Sequence, residues 1–305
     1  MRVRVPLFCR HNRFEHSCSI CLKEKAAKAP APARRVSSSP GRVRGAAAGS
    51  ATAKSGTRRS SGVVRKQMDR ATEDGFRNEL IPGIKATADA ERLGACIALS
   101  LGRLAFPGPH PAVSEEPDPE KASWLAFLLA LAGPDRPELQ QAIVAARPDW
   151  TDDVEELGPA AGRTAAAYRA WAERSGSQLS AFSGDSSWSP QRRFARVFDR
   201  LSLPGFGRDR RYELLITLGA SGTYELEGDS LHVGQGDDAT VIGAKRALNS
   251  GDTMLLERRA AALAEACEVP IASFDRALAL WERGVDCGVP GDAEAHARIR
   301  AGLGV

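Results

Sequence analysis

The stretch from residue 198 to residue 219, FDRLSLPGFGRDRRYELLITLG, constrains the fold of this chain more than any other. Its pattern predicts a helix that ends near residue 201, a turn over 203–207 and a second helix over 208–218. Two glycines in such a turn let the backbone approach a phosphate without a Cβ in the way, and the first N–H groups of the second helix favour an anion. The pattern is typical of a helix-hairpin-helix that binds DNA. Its candidate DNA contacts are Gly205, Gly207, Arg208, Arg210 and Arg211.

The chain from residue 72 to residue 300 reads as one mainly α domain. Apolar spacing, prolines and caps predict helices at 86–104, 120–132, 137–146, 159–175, 191–201, 238–248, 253–267 and 271–283. Residues 120–132 are so apolar that we expect them to form the central buried helix. Asp238 and Asp252 precede two helices and are predicted N-caps. Glycines in 222–236 predict a small irregular or β insertion, with 231–233 as its strand.

Arginines alternate with apolar residues in the predicted helix 191–201. They are Arg192, Arg193, Arg196 and Arg200. The helix therefore presents either a solvated basic face or a surface for phosphates. Arg193 is the candidate DNA contact from this helix.

Charge is unevenly distributed along the chain. Residues 1–70 hold 17 of the 42 Lys and Arg residues but only 3 of the 38 Asp and Glu residues, so the remainder is mildly acidic. A basic arm of this kind favours a polyanionic partner, either nucleic acid or an anionic membrane surface. Residues 26–71 are rich in Ala, Pro, Ser, Gly and basic residues and contain no aromatic side chain, which predicts a disordered basic linker.

The first 25 residues contain the pattern C-x-H-x6-C-x2-C. Cys9, His11, Cys18 and Cys21 supply the four N and S ligands that a structural zinc ion prefers, and His16 could replace His11. So short a segment has almost no core of its own, so the metal would provide most of its folding free energy. Residues 1–25 are therefore predicted to be a short zinc-binding motif; a reduced, disordered tail is the alternative.

The other three cysteines, Cys96, Cys267 and Cys287, lie far apart. We expect no disulfide framework, and hence a reducing, cytoplasmic compartment. The longest apolar run, residues 124–132, is about half the length of a membrane span, so no membrane partner is expected.

The outline of the hairpin resembles that of helix-hairpin-helix DNA glycosylases, in which an LPGxG turn is followed by a loop and an acidic residue that opens the next helix. Here the turn is LPGFG at 203–207, and Asp237 and Asp238 open the next helix. Three departures matter: the loop is longer, Asp209 stands where lyase-type members have lysine, and the four-cysteine cluster of the iron–sulfur members is absent. The resemblance implies a shared DNA-holding scaffold more than a shared reaction.

A second resemblance rests on five segments of the chain. They are CRHNRFEHSCSIC, YRAWAERSGSQ, SPQRRFARVFDRLSLPGFGRDRRYELLITLG, DDATVIGAKRALNSGD and LLERRAAALAEACEVP. Together they resemble the alpha-glutamyl/putrescinyl-thymine pyrophosphorylase family of DNA base hypermodification, over roughly residues 120–285 and the N-terminal motif. The resemblance implies a transferase that displaces pyrophosphate from a 5-(pyrophosphoryloxymethyl)pyrimidine in DNA with a small amine, from glutamate or putrescine.

Such a reaction needs a proton acceptor for the amine and positive charge for the departing pyrophosphate. Asp238 is the candidate general base, and Lys245 and Arg246, on the same predicted helix, are the candidate partners of pyrophosphate. The alternatives are that Asp238 is only an N-cap and that the two cations belong to a solvated face.

The modified base must also leave the stack and enter a pocket lined by aromatic or apolar side chains. Tyr168, Trp171 and Gln178 are the candidates for that pocket, and core packing of the two aromatic residues is the alternative.

Two other functions fit the same features. A DNA glycosylase could use Asp238 to stabilise an oxocarbenium-like sugar, and a zinc-containing DNA-binding protein could hold DNA without a reaction. We see no Walker-type loop or dinucleotide fingerprint, and so expect no nucleotide cofactor.

Overall fold

The structure is a computed structural model that describes residues 70–158, 160–288 and 291–305, without the side chain of Gln235. The predicted zinc ligands Cys9, His11, Cys18 and Cys21 and residues 26–69 of the predicted linker lie outside these ranges.

Helices account for nearly all the regular structure of the described residues, which contain no strand. In chain order they are α1 (Thr87–Gly102), α2 (Pro111–Ser114), α3 (Pro119–Ala132), α4 (Pro137–Ala146), α5 (Ala161–Arg174), α6 (Gln178–Ser183), α7 (Pro190–Arg200), α8 (Arg208–Ala220), α9 (Ala239–Ala247), α10 (Thr253–Ala266), α11 (Ser273–Glu282) and α12 (Ala293–Leu303). Short 3-10 turns occupy Glu155–Leu157 and Val233–Gln235. The mainly α prediction is confirmed.

Local capping explains where several helices begin. The Asp238 carboxylate accepts hydrogen bonds from the N–H groups of Thr240 and Val241, and Asp252 accepts one from Leu255, so both predicted N-caps are confirmed. Predicted and observed helix ends agree to within about two residues. The pattern predicts no helix where α2, α6 and α12 form.

Two hydrophobic clusters form the core of the described residues. The first is built by α2 to α8, apart from Ala272, around α3, in which every residue from Ala122 to Ala132 is buried. The second packs α1 against α9 to α12. The predicted central buried helix is confirmed, and the first and last helices of the described residues, α1 and α12, both belong to the second cluster.

The segment between α8 and α9 is an irregular loop, one of the two predicted forms, and the strand at 231–233 that belonged to the alternative ribbon does not form. The N–H groups of Leu231 and Val233 donate to the two carboxylate oxygens of Glu257, at 2.9 and 2.8 Å. His232 adopts a left-handed conformation between them, with φ 52°. A side chain of α10 thus takes the hydrogen bonds that a neighbouring strand would have taken.

Two cysteines that we expected to be unpaired form a disulfide. Cys96 on α1 is bonded to Cys287, which follows α11 and lies 191 residues away in sequence. Cys267 is free and buried, and burial raises the pKa of its thiol to about 11. Because disulfides are rare in reducing compartments, this pair does not favour the predicted compartment. In the described part of the chain, no helix has the length and apolar content to span a bilayer.

Candidate functional site

A polar cleft of about 200 Å³ lies where the two hydrophobic clusters meet. The end of α3 and the first turns of α8 and α9 line it, together with one side of α11. The two helix N-termini bring partial positive charge to the cleft. Its ionisable lining residues are Asp135, Arg136, Asp209, Arg210, Glu213, Asp238, Asp275, Arg276 and Arg283.

Arg208, the first residue of α8, is buried beside this cleft and joins two carboxylates. Its Nε lies 2.6 Å from Oδ2 of Asp238, and its Nη2 lies 2.6 Å from Oδ1 of Asp275. Nη1 donates to the carbonyl oxygen of Leu231 at 2.7 Å. The side chain of Arg208 is 0% exposed, so it holds the cleft together instead of facing solvent, where a DNA phosphate would lie.

The two carboxylates on Arg208 differ in proton affinity. Burial alone would raise the pKa of Asp238, but the hydrogen bond and charge of Arg208 and the N–H groups that Asp238 caps outweigh it and lower the pKa. Burial is stronger at Asp275 and raises its pKa to about 6 despite Arg208. Near neutral pH, Asp238 is therefore ionised and Asp275 is close to its titration range.

Sequence reasoning missed Asp275. The available signal was its position in α11, four residues before Ala279 and three before Leu278, on a face that is otherwise apolar and buried. A charged residue on a buried face needs a partner, and the candidate partner was one of many arginines in the chain.

A second buried carboxylate ties the loop after α1 to α8. Glu213 lies 2.5 Å from Nη2 of Arg103 and 3.6 Å from Nε2 of His110. Burial would raise the pKa of Glu213, but Arg103 and then His110 lower it to about 2. Glu213 also lines the cleft, so one wall of the cleft is fixed by this pair.

The predicted hairpin turn is exposed at its two glycines. Gly205 has φ +76°, and a Cβ there would lie 2.6 Å from Oγ1 of Thr164, which donates to the carbonyl oxygen of Pro204. Nη1 of Arg210 donates to the carbonyl oxygen of Gly205 at 3.0 Å. Gly207 has an ordinary φ of −65° as the N-cap of α8. Gly205, Gly207 and Arg210 therefore lie together at this exposed turn, and their contact with DNA stays a prediction.

Arg193 and Arg211, by contrast, are buried. Arg193 donates to the carbonyl oxygens of Ser183, Trp188 and Glu225 at 2.7, 3.2 and 2.9 Å. The guanidinium of Arg211 lies 4.3 Å from the centre of the Phe198 ring and donates to the Phe198 carbonyl oxygen. With Arg208 these are the inward arginines, and all three were predicted to contact DNA.

The predicted cations for pyrophosphate do not lie at the cleft. Lys245 and Arg246 belong to the last turn of α9, about 10 Å along the helix axis from Asp238 at its start. Lys245 is exposed, and Nη1 of Arg246 lies 2.6 and 2.7 Å from the carboxylate oxygens of Glu282. They lie on the same helix as Asp238 but about two turns away, at its opposite end.

The three residues predicted to form a base pocket lie in the first core cluster or at its edge. Tyr168 is fully buried, stacks on Phe127 with 3.9 Å between ring centres and donates its hydroxyl hydrogen to Oε1 of Gln178. Trp171 packs beside Tyr168, 5.5 Å away. None of the three lines the cleft, and Gln178 instead lines a separate cavity of about 370 Å³ beside Trp124. Their placement fits the core-packing alternative.

The described residues contain no group of three or more His, Cys, Asp or Glu side chains arranged to hold a metal ion. The predicted zinc site lies outside them, so it stays a prediction.

Comparison of this chain with known protein families, with curated proteins and with solved structures found no match. Both family resemblances therefore stay predictions from the sequence.

Proposed function

We propose that this protein modifies DNA bases, and that in its cleft a small amine replaces pyrophosphate on a 5-(pyrophosphoryloxymethyl)pyrimidine. The observation that carries the proposal is Arg208, a buried cation that holds two carboxylates of different proton affinity at a cleft beside an exposed glycine turn. A volume of about 200 Å³ is below the roughly 300–1,000 Å³ of pockets for drug-sized ligands, so it suits a single-ring base. The proposal takes its reaction from the sequence resemblance and its location from the cleft.

The reaction forms one bond and breaks one. The amine nitrogen bonds to the 5-methylene carbon, the bond from that carbon to oxygen breaks, and pyrophosphate leaves with the electron pair. The proton lost by the amine passes to a carboxylate. Asp238, which is ionised, would orient the incoming ammonium group, and Asp275 is the better proton acceptor because its pKa of about 6 lies nearer to neutral pH.

The departing pyrophosphate needs positive charge that is already in place. The N-termini of α8 and α9 both open on the cleft, and Arg210, Arg276 and Arg283 line it. Arg283 forms an ion pair with Asp135, at 2.5 Å. Nη1 of Arg210 donates to the Gly205 carbonyl oxygen, and its other guanidinium N–H groups would be able to bind the leaving group. These groups replace Lys245 and Arg246 in the proposed mechanism.

A DNA glycosylase is the second candidate, because an ionised Asp238 would also stabilise a positively charged sugar. Asp209, in the place of the lyase lysine, excludes a lysine-derived Schiff base at that position.

The test is conversion of DNA that contains the pyrophosphorylated base, in the presence of putrescine or glutamate, read by mass spectrometry of the nucleosides. We expect a new amine adduct from the full chain and a loss of at least about 100-fold in rate for Asp238→Asn, the usual size of a general acid–base or charge contribution. Asn still caps a helix, so the change keeps the cap and removes the negative charge, together with its ion pair to Arg208. Asp252→Asn, at the start of α10, is the matched control because it alters another N-cap away from the cleft.

Three results would overturn the proposal. An abasic site in place of an adduct would indicate the glycosylase, and unchanged DNA with intact binding would indicate a binding protein. Equal rates for Asp238→Asn and wild type would remove the reaction from this cleft.

The same proposal includes a structural zinc ion on Cys9, His11, Cys18 and Cys21. The purified full chain should contain about one zinc ion, and Cys18→Ser should lower that content, measured by elemental analysis. A metal-free protein with unaltered conversion would contradict it.

A further inference from the structure

Three arginines of α7 point away from the core and form one stripe. Arg192, Arg196 and Arg200 are all exposed, while Phe194 on the opposite face is fully buried. Their four-residue spacing keeps them within about 80° around the helix and spreads them over about 12 Å of its length. In the described residues no ion pair with a carboxylate involves any of the three. They are the outward arginines.

The side chain of Trp188 gathers two of these charges. The guanidinium carbons of Arg192 and Arg200 lie 5.8 and 5.5 Å from the centre of its ring. The indole itself is fixed, because a Cβ on Gly184 would lie 2.5 Å from it and because Arg193 donates to the Trp188 carbonyl oxygen. The guanidinium groups of Arg192 and Arg200 thus share one indole ring, which the buried Arg193 helps to hold in place, and cation–π attraction favours this arrangement.

Two carboxylates lie close to this stripe, Asp185 and the exposed Asp199, which precedes Arg200 on α7 itself. The pKa of Asp185 is lowered mainly by hydrogen bonds from Ser187, and to a smaller extent by the positive charge of Arg192. Gln191, the amide nearest in sequence, donates to Glu227 at 2.7 Å and is not available to read a base edge. The chemistry of the surface therefore suits a polyanion contacted through its phosphates and not through its sequence.

We propose that the outward arginines and Trp188, named here the α7 surface, bind consecutive phosphates of one DNA strand next to the cleft. Over about 12 Å, a strand carries three to four phosphates at about 3.4 Å per charge. Arg200 ends α7, and the exposed turn with Gly205 follows five residues later, so one strand can pass from the α7 surface to the turn. The choice of DNA as the polyanion rests on the proposed function.

The test compares two variants of the full chain with equal charge loss. The first changes Arg192, Arg196 and Arg200 to Gln; the control changes Arg174, Arg258 and Arg298, exposed arginines outside α7 and the hairpin, to Gln. Binding of a labelled duplex is measured by fluorescence anisotropy at several salt concentrations. The slope of log K against log salt is negative, and each lost phosphate contact reduces its magnitude by about 0.9. We therefore expect the magnitude to fall by about 2 to 3, and binding at 0.1 M salt to be about 10- to 100-fold weaker. The control should change the slope by less than about 1. The basic residues 1–70 contribute equally in every variant.

Two further variants separate contact from general structure. The Lys version of the same three positions keeps the charge and should keep most of the slope. Trp188→Phe should remove a large part of the change in tryptophan fluorescence that DNA causes in the wild type, which has five tryptophans. A DNA-induced fluorescence change that persists unaltered in Trp188→Phe would contradict contact at this ring.

Several outcomes would overturn the α7 surface. Equal effects of the Gln variant and the control would assign binding to net charge, and an unchanged slope would assign it elsewhere. If the protein binds RNA or vesicles with anionic lipids and does not bind DNA, the choice of DNA as the polyanion is wrong. If the base-modification reaction is not found, this proposal is unaffected, because the binding slope is measured without turnover. If the α7 surface does not bind DNA, the role of Asp238 can still be tested, by measuring the reaction rate at a protein concentration that saturates the DNA.

Discussion

The outward arginines all lie on α7, whereas the inward arginines lie on α7 and α8, the two helices that flank the hairpin turn, and the two sets make opposite kinds of contact. Arg192 and Arg193 are neighbours in sequence, yet the second donates to three carbonyl oxygens while the first lies in solvent over an indole ring. The inward set connects loops and carboxylates inside the molecule, and the outward set has no carboxylate partner in the described residues. Burial, not residue type, decides which arginines can contact a polyanion.

The largest effect is expected at Arg208. Arg208→Met keeps much of the side-chain volume but leaves Asp238 and Asp275 buried without their cation, so the free energy of unfolding should fall by about 3–5 kcal/mol. Urea denaturation measures the change. Adding Asp275→Asn to the same variant should recover part of the loss, because one uncompensated charge is removed. A loss no larger than that of Arg192→Met, the outward control, would break the contrast between the two sets.

The next effect is expected at Arg193. Arg193→Ala removes the buried donor of three partly buried carbonyl oxygens and should lower the free energy of unfolding by about 2 kcal/mol. Arg192→Ala, one residue away and exposed, should change it by less than about 0.5 kcal/mol. For DNA binding we expect the opposite order of the two variants, because only Arg192→Ala removes a phosphate contact and so reduces the magnitude of the salt slope. Equal stabilities of the two variants would show that Arg193 does not support the fold.

The turn between the helices offers a smaller test of the same contrast. Gly205→Ala should cost about 1–2 kcal/mol, because φ +76° is unfavourable for alanine and the Cβ would meet Oγ1 of Thr164, which its bond to Pro204 holds in place. Gly207→Ala has an ordinary φ and meets only the end of the Asp209 side chain, so it should cost clearly less. Thermal unfolding of both variants gives the comparison, and a larger cost at Gly207 would contradict it.

The smallest effect is a pH dependence from the carboxylates around Arg208. The folded pKa of Asp275, about 6, lies above the ordinary 3.8, so its contribution to stability is complete below about pH 4 and is lost as pH rises through 6. Arg208, Asp238 and Glu213 are the charged groups that face it. Between pH 5 and pH 7.5 the wild type should lose on the order of 1 kcal/mol relative to Asp275→Asn, measured by urea unfolding at both pH values.

Glu213 provides the opposite sign within the same molecule. Its pKa of about 2 lies below the ordinary 4.5, so its contribution is present above pH 4.5 and is lost as pH falls toward 2. A wild-type curve that runs parallel to that of Asp275→Asn from pH 5 to pH 7.5 would contradict the assignment for Asp275.

Helices and their ends could be predicted from the sequence because local signals determine them. Asp238 and Asp252 cap helices through their own neighbours, and the apolar run of α3 leaves no face for solvent. The mainly α fold followed from such signals. The strand at 231–233 failed because Glu257, more than twenty residues away in sequence, takes its hydrogen bonds.

The direction of each arginine could not be predicted in the same way. The first turn of a helix presents side chains to all sides, so the sequence RDRR does not tell which of Arg208, Arg210 and Arg211 turns inward. The partner of Arg208 on α11 lies 67 residues away, and the disulfide between Cys96 and Cys287 joins residues 191 apart. Both depend on how α1 and α8 pack against α11 and the segment that follows it, which no local pattern contains.

The position of Arg208 also has a mechanical consequence. It is the first residue of α8, a helix of the first cluster, and its ion pairs with Asp238 at the start of α9 and Asp275 on α11 join that helix to the second cluster. Moving the two clusters apart would separate these buried charges, at a cost of about 3–5 kcal/mol, which is a large part of the stability of many domains. The ion pairs of Arg208 therefore hold the width of the cleft at Asp238 constant, and under the proposed function this fixed width would exclude ligands that are too large to enter.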